Sequence, residues 1–412
     1  MVATPTTTPL TKTPGTPCKP ISLFISAHTL TRIMSAFDRQ KHIGYFATCL
    51  RKLPGDFGKL DTNRLTIVHF CVHALDLLGV WEPNAQDLRT QLQLNPRDII
   101  TWIRSLQIAT DDLPDKTKTS YVGFLGGTFL GGSFTDPTDQ PWHFHQSHIA
   151  MTYTALTVLK VLSKAIGDEE DWLQGIDRVG IVKALQFLQH ANGSFECVHK
   201  GGEHDMRFLY CACCISHMLH DWSGVNIETA TTYIQSCRSH DGAIALLPGQ
   251  EGHGGSTFCA IASLQLMNKL DDVLDQNEWR EELTRWCVTR QVGGMQGRPN
   301  KAEDTCYSFW IGGTLRLLGQ DDLLDHQKLR DFVMKCQTKM GGFSKVIGVF
   351  PDPLHSYYSL AYLSLSQQYF AKDSGSQDEN LLVDEYSIQL KELNCTLGIS
   401  MDAATSFSPV HP

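Results

Sequence analysis

The chain has 412 residues, of which 42% are hydrophobic and 19% charged, enough apolar side chain to bury a large core. A formal net charge of −9 argues against nucleic acid as a main partner, so any anion-binding site must be a local basic patch. No run of eighteen or more apolar residues is present, and no membrane span is expected.

Residues 3–19 are rich in Thr and Pro, and residues 1–35 are expected to form a disordered extension. The apolar stretch Ile21–Ser26 is too short and too late to read as a signal peptide. The 13 cysteines are odd in number and lack a framework spacing, so they read as reduced thiols of a cytoplasmic protein. The folded part is expected over 36–370. The polar stretch 371–412, which contains DSGSQDEN, is expected to be a flexible C-terminal tail.

Between these ends the sequence repeats. An apolar helix, a polar turn with Gly, a loop and a second apolar helix recur around GGSF (Gly132), HANGSF at 190–195, SHDGAI at 239–244, QVGGMQ at 291–296 and KMGGFS at 339–344. The last glycines of the later four turns, Gly193, Gly242, Gly294 and Gly342, are 49, 52 and 48 residues apart. Gly132 lies 61 residues before Gly193, the extra length being assigned to the acidic GDEEDW at 167–172. A period near 50 with two helices per unit means stacked helical hairpins. The first helix is expected to end at the Gly turn. The second helices, such as TFCAIASLQLM at 257–267 and CYSFWIGGTLRLL at 306–318, are apolar on most faces and should be buried. The simplest closed solution is an all-α α/α barrel with the second helices inside. An open solenoid satisfies the same periodicity.

Residues able to do chemistry cluster ten to fourteen positions after each repeat Gly, where an inner helix begins: Asp205 and Arg207, His253, Asp304 and Cys306, and His355. Equivalent places in neighbouring repeats converge at one end of a barrel. Asp304, Cys306 and His355 then offer a carboxylate, a thiolate and an imidazole, a set that suits Zn²⁺ and leaves its fourth position open for catalysis. Arg298, Lys301, His253 and Lys345, with the Tyr307 hydroxyl, form a basic patch near helix N-termini that suits a diphosphate. Tyr153, Tyr210, Trp310, Tyr357 and Tyr358 fall on inner helices and could line a funnel for a long apolar tail.

The strings HIAMTY at 148–153, DMRFLYC at 205–211, GHGGSTFC at 252–259, GRPNKAEDTCYSFW at 297–310 and DPLHSYYSL at 352–360 carry a family resemblance. Over residues 36–366 the chain resembles the β subunits of protein prenyltransferases. The resemblance implies an α6–α6 barrel in a heterodimer with a helical-repeat α subunit, and one Zn²⁺ held by Asp304, Cys306 and His355. It implies that His253, Arg298, Lys301 and Tyr307 hold the isoprenoid diphosphate, and that Arg207, Tyr210, Tyr153 and Trp310 line the lipid and peptide cavity. Within the family, three features point to the type I geranylgeranyl-transferring branch. Thr66 stands where similar farnesyltransferases place a Trp that closes the pocket floor. GRPNK and DTCYSFW replace GRCNK and DGCYSFW. Lys345 stands where farnesyltransferases carry an Asp for Mg²⁺, so Mg²⁺ should be dispensable. Tyr358, usually Phe in type I members, implies a less strict lipid choice.

The resemblance thus implies transfer of a geranylgeranyl group from its diphosphate to the cysteine of C-terminal CaaX motifs, with Leu favoured last, on proteins such as Rho- and Rap-type small GTPases. A farnesyltransferase β subunit and a non-catalytic helical-repeat scaffold are the alternatives. A terpene cyclase would want an acidic protonating motif, and TDDLPD at 110–115 lies in an expected loop.

Overall fold

Two kinds of helix alternate along the chain, and the alternation builds the architecture. The structure, a computed structural model, describes residues 36–53, 55–113, 115, 119–128, 146–167, 172–199, 201–275, 278–373 and 388–405. Helices α1 (Arg39–Arg51), α3 (Pro96–Arg104), α5 (Arg178–Leu188), α7 (Ile227–Ser236), α9 (Trp279–Val288) and α11 (His326–Lys335) bury one face and expose the other. Helices α2 (Arg64–Leu77), α4 (Ile149–Ala165), α6 (Met206–Leu219), α8 (Gly254–Leu266), α10 (Thr305–Leu317) and α12 (Pro353–Asp373) are buried on most faces of their described side chains. Each of these six packs on the next, and α12 packs back on α2. The inner ring is therefore closed, which decides for the barrel over the open solenoid.

All inner helices point the same way. The N–H at the start of each of the first five donates to the loop that leads into the next: Leu65 to Gly126, Ile149 to Cys197, Met206 to Leu246, Gly254 to Gly297, and Thr305 to Lys345. Five successive repeats thus bring their loops to one end of the barrel.

The repeat glycines do not end the outer helices, as the sequence suggested. Those helices stop several residues earlier, and the Gly turn closes a small antiparallel bridge such as Gln189 with Phe195 or Gln337 with Phe343. Gly193, Gly242, Gly294 and Gly341 press against Thr229 of α7, Glu282 of α9, Phe332 of α11 and Lys41 of α1, where a methyl group would collide. In the last turn Gly341 therefore plays this part, rather than Gly342. Glutamines complete the outer ring. Gln107, Gln189, Gln291 and Gln337 each accept from and donate to backbone at the start of the next outer helix. The last joins residue 337 to Ala36 and Asp38 and so closes the outer ring.

His42 seals that closure. Its Nδ1 accepts the Gly342 N–H at 2.9 Å, and its Nε2 contacts the Gln337 carboxamide oxygen at 2.9 Å. Burial drives its pKa down from 6.5 to about 4, against the raising effect of Gln337 and of Asp38 nearby. The unfolded chain therefore binds the extra proton between about pH 6.5 and 4. Stability is complete above the ordinary histidine pKa and falls on acidification, by on the order of 3 kcal/mol from this residue. Buried His69 and half-buried His148, at about 3 and about 4, add the same sign. Denaturation midpoints measured across that window should fall with pH, and His42→Asn should reduce the slope without abolishing it. An unchanged slope would remove His42 from the closure.

The far end of the barrel is plugged by the chain's own C-terminal region. Ile388, Leu390, Leu393, Cys395, Leu397 and Ile399 are buried, and β3 (Leu393–Asn394) pairs antiparallel with β4 (Ile399–Ser400). (β1, Gln107–Ile108, and β2, Gly123–Phe124, form a similar pair before α4.) The Tyr153 and Tyr210 hydroxyls donate to the Leu397 and Thr396 carbonyls, both at 2.9 Å, and Tyr357 donates to Gly398. Lys391 reaches buried Asp76 at 2.8 Å and Glu82 at 2.7 Å. The range read from sequence as a loose tail thus contains a packed segment, residues 388–404. Its apolar side chains find a home between the inner helices. The 1–35 extension, the Gly132 turn and the DSGSQDEN stretch lie outside the described residues.

Candidate active site at the barrel mouth

Three of the residues singled out by spacing, Asp205, His253 and Asp304, occupy one structural position, the N-cap of an inner helix, and His148 holds the same position one repeat earlier. His148, Asp205, His253 and Asp304 each accept the N–H two residues on, from Ala150, Arg207, Gly255 and Cys306. A cap needs a short side-chain acceptor held at the helix entrance. The same requirement sets these side chains on the rim, where helix N-termini favour anions.

Asp304, Cys306 and His355 come together there, with ligand atoms all within 4.8 Å of one another. His355 Nε2 lies 3.3 Å from Asp304 Oδ1, and the Lys345 ammonium lies 3.4 Å from Asp304 Oδ2. Burial pushes the Asp304 carboxyl up, but the His355 and Cys306 hydrogen bonds outweigh it and hold the group below its ordinary range. Burial pushes the Cys306 thiol far up, and the Asp304 charge adds to that. His355 is lowered by burial but raised more by Asp304 and Asp352, to about 9.

Asp352 is the residue that sequence reasoning missed. Its Oδ2 lies 2.6 Å from His355 Nδ1, and its Oδ1 accepts the His355 backbone N–H at 2.9 Å. This bond orients the imidazole so that Nε2 faces Asp304 and Cys306. The signal was present in the string DPLH, a carboxylate three residues before a candidate ligand on a helix entrance. A buried carboxylate and thiol beside one oriented, partly exposed imidazole fit a metal ion.

The basic patch is partly assembled. The Gly255 N–H occupies His253 Nδ1, so the ring hydrogen sits on Nε2, 2.9 Å from the Tyr307 hydroxyl. Burial lowers the His253 pKa, as does the Arg298 charge beside it. Arg298 is half exposed and pairs with Glu251 at 2.9 Å. Lys301 is exposed in the same loop. Arg207 stands apart, tied to Asp205 and Glu203, each at 2.6 Å.

Below the rim each inner helix gives one aromatic ring: Phe70, Tyr153, Tyr210, Phe258, Trp310 and Tyr358. Neighbouring centroids lie 4.3 to 5.9 Å apart from Tyr153 round to Phe70. His69 closes the circle, 5.6 Å from both Phe70 and Tyr153. Trp310 and Tyr358 lie one helical turn beyond Cys306 and His355, so the girdle begins directly under the donor set. The hydroxyls of Tyr153 and Tyr210 face the plug, so these residues offer the interior their rings. Thr66 lies in the first turn of α2, half buried, with its hydroxyl 3.5 Å from Met151 Sδ. It stands one turn from Phe70 on the mouth side of the girdle, in the wall rather than at the plugged end. Asp112 of TDDLPD accepts the Ala109 N–H, a capping role remote from protonation chemistry.

Residues 37–399 match the prenyltransferase α/α toroid domain. The geranylgeranyl transferase type-1 subunit β of Arabidopsis thaliana is 38% identical over 340 residues, 81% of this chain and 86% of that protein. The protein of the same name in Dictyostelium discoideum is 36% identical over 338 residues, 80% and 91% of the two chains. Among solved structures, Candida albicans protein geranylgeranyltransferase-I complexed with GGPP is similar with a TM-score of 0.71 and 25% identity, over 91% of this chain and 99% of that one. No described helix is long and apolar enough to cross a membrane.

Proposed function

This chain belongs to the prenyltransferase α/α toroid family, among the geranylgeranyl transferase type-1 β subunits, and on that premise we propose how its mouth works. It is the catalytic subunit of a protein geranylgeranyltransferase type I and acts in the cytoplasm as a heterodimer with an α subunit. It transfers the geranylgeranyl group of geranylgeranyl diphosphate to the cysteine of a C-terminal CaaX motif, on proteins of the Rho and Rap type. The barrel with its plug is the catalytic body, and residues 1–35 are an extension to it.

The convergence of Asp304, Cys306 and His355 on one point carries this reading. These residues would hold one Zn²⁺, with Asp352 orienting His355. When bound, the ion supplies a Lewis acid that lowers a thiol pKa, so that a substrate thiolate exists at neutral pH. The chain's own residues do the rest. The aromatic girdle takes the isoprenoid tail and excludes water. The thiolate sulfur bonds to C1 of the isoprenoid as the C1–O bond breaks, and diphosphate leaves with the electron pair. His253, Arg298, Lys301, Tyr307 and Lys345 meet the charge that grows on that leaving group.

Lys345 sets its ammonium beside Asp304, where a second cation would otherwise serve the diphosphate. The transfer rate should therefore stay nearly flat as Mg²⁺ is varied, and Lys345→Ala should cost about a hundredfold in rate. A steep Mg²⁺ dependence of the unaltered enzyme would remove Lys345 from this role. The function as a whole is tested by elemental analysis and prenyl transfer on the chain co-expressed with an α subunit. One zinc per heterodimer and transfer from the twenty-carbon donor are expected, and a metal-free active enzyme would overturn the mechanism.

A further inference from the structure

The loop that joins Lys345 to the helix bearing His355 carries an apolar tip that the transfer chemistry does not use. Its base is fixed: Ser344 and Pro351 form an antiparallel bridge, and the Ser344 hydroxyl donates to the Val346 carbonyl at 2.7 Å. Gly348 turns the tip with a φ of +87°. There Ile347 is 58% exposed, Val349 49% and Phe350 85%. Met340, 58% exposed, joins Val349 and Phe350 around a shallow hollow of about 320 Å³, whose rim includes Lys335 and Lys339. Lys335, Lys339 and Lys345 are all exposed. Nearby, Asp304 faces both His355 and the Lys345 ammonium, and Asp352 faces His355. A cluster of apolar tips edged by lysines thus reverses the sign of a chain with net charge −9.

We propose that this tip docks the enzyme on the surface of an anionic lipid bilayer. Aliphatic and aromatic side chains projecting from a pinned loop fit the boundary between headgroups and acyl chains, and lysines on their rim complement anionic headgroups. The tip is also continuous with the mouth, beginning at Lys345 and ending at half-exposed Leu354 and His355. Docking there would present the mouth to the surface where a four-isoprene diphosphate resides. The proposal deepens the geranylgeranyl reading and rests on it, but vesicle binding can be read without substrate, so the two can fail separately.

The test is co-sedimentation of the heterodimer with vesicles of phosphatidylcholine alone and of phosphatidylcholine with one third phosphatidylserine. Retention on the anionic vesicles, weakened by salt, is expected. Ile347→Asp with Phe350→Asp should lower it more than about tenfold, and Lys335→Gln or Lys339→Gln about fivefold each. Transfer from a detergent-dispersed donor should be unchanged in all of them. Equal retention of wild type and tip variants, or none by wild type, overturns the proposal. So does protection of a Phe350→Cys thiol from labelling in the heterodimer without vesicles, because the tip would then be covered by the α subunit or a second copy. The native cysteines among the described residues are buried, and Cys18, which lies outside them, is replaced by Ser in the labelling background.

Discussion

Cys306→Ala is expected to abolish prenyl transfer and strip the metal while leaving the barrel intact. The thiol sits in a buried rim position where burial and the Asp304 charge both oppose its ionisation. Only a strongly bound cation makes a thiolate stable there, so the residue's chemistry is that of a ligand. Without it, Asp304 and His355 remain 3.3 Å apart, and a histidine poised at about 9 is protonated at neutral pH. The pocket then relaxes to an ordinary ion pair. Zinc content should fall well below one per heterodimer. The specificity constant should fall by more than about a hundredfold, the upper end of what losing a mere orienting partner costs. The thermal midpoint should move little, since Cys306 contributes one small side chain to a large core. Retained activity with retained zinc would assign the metal elsewhere.

Thr66→Trp should turn preference from the twenty-carbon to the fifteen-carbon donor. Thr66 lies half buried beside Met151, on the mouth side of Phe70 and Tyr358. An indole there would fill the wall space that the fourth isoprene unit needs. Five buried carbons are worth about 4 kcal/mol, so the ratio of specificity constants can move by up to roughly a thousandfold. Competition between the two labelled donors reads the ratio directly. Tyr358 lies 4.3 Å from Trp310, tilted against it, and stacks on Phe309, so it should limit the starting preference rather than the direction of the change. An unchanged preference would place the selectivity elsewhere on the girdle.

What could be read from the sequence was what recurs. The Gly turns repeat because each must let the next outer helix come close, and Asp205, His253 and Asp304 repeat because each caps an inner helix. That register placed Asp304, Cys306 and His355 together across 51 positions without a structure. Asp352 was hidden because its role depends on one hydrogen bond to one ring. The glutamines that close the outer ring were hidden because amides on a surface look like solvated side chains until their backbone partners are known. The plug was obscured by composition. Polar residues before 388 dominate the region, although Leu393, Cys395, Leu397 and Ile399 alternate in a strand-like way. Tyr153 and Tyr210 do fall on inner helices, but their hydroxyls belong to that plug.

The plug also dictates an order of assembly. The six inner helices are all synthesised before residues 388–404, and Ser400 must travel back across 324 positions to reach Asp76. Until then the nascent barrel is a sleeve open at both ends, with three tyrosine hydroxyls unmatched. Completion of the barrel therefore waits for residues 388–404 to follow the inner helices. A premature stop after the last helix would leave nearly the whole sequence in place and yet release a protein whose lipid chamber has no bottom.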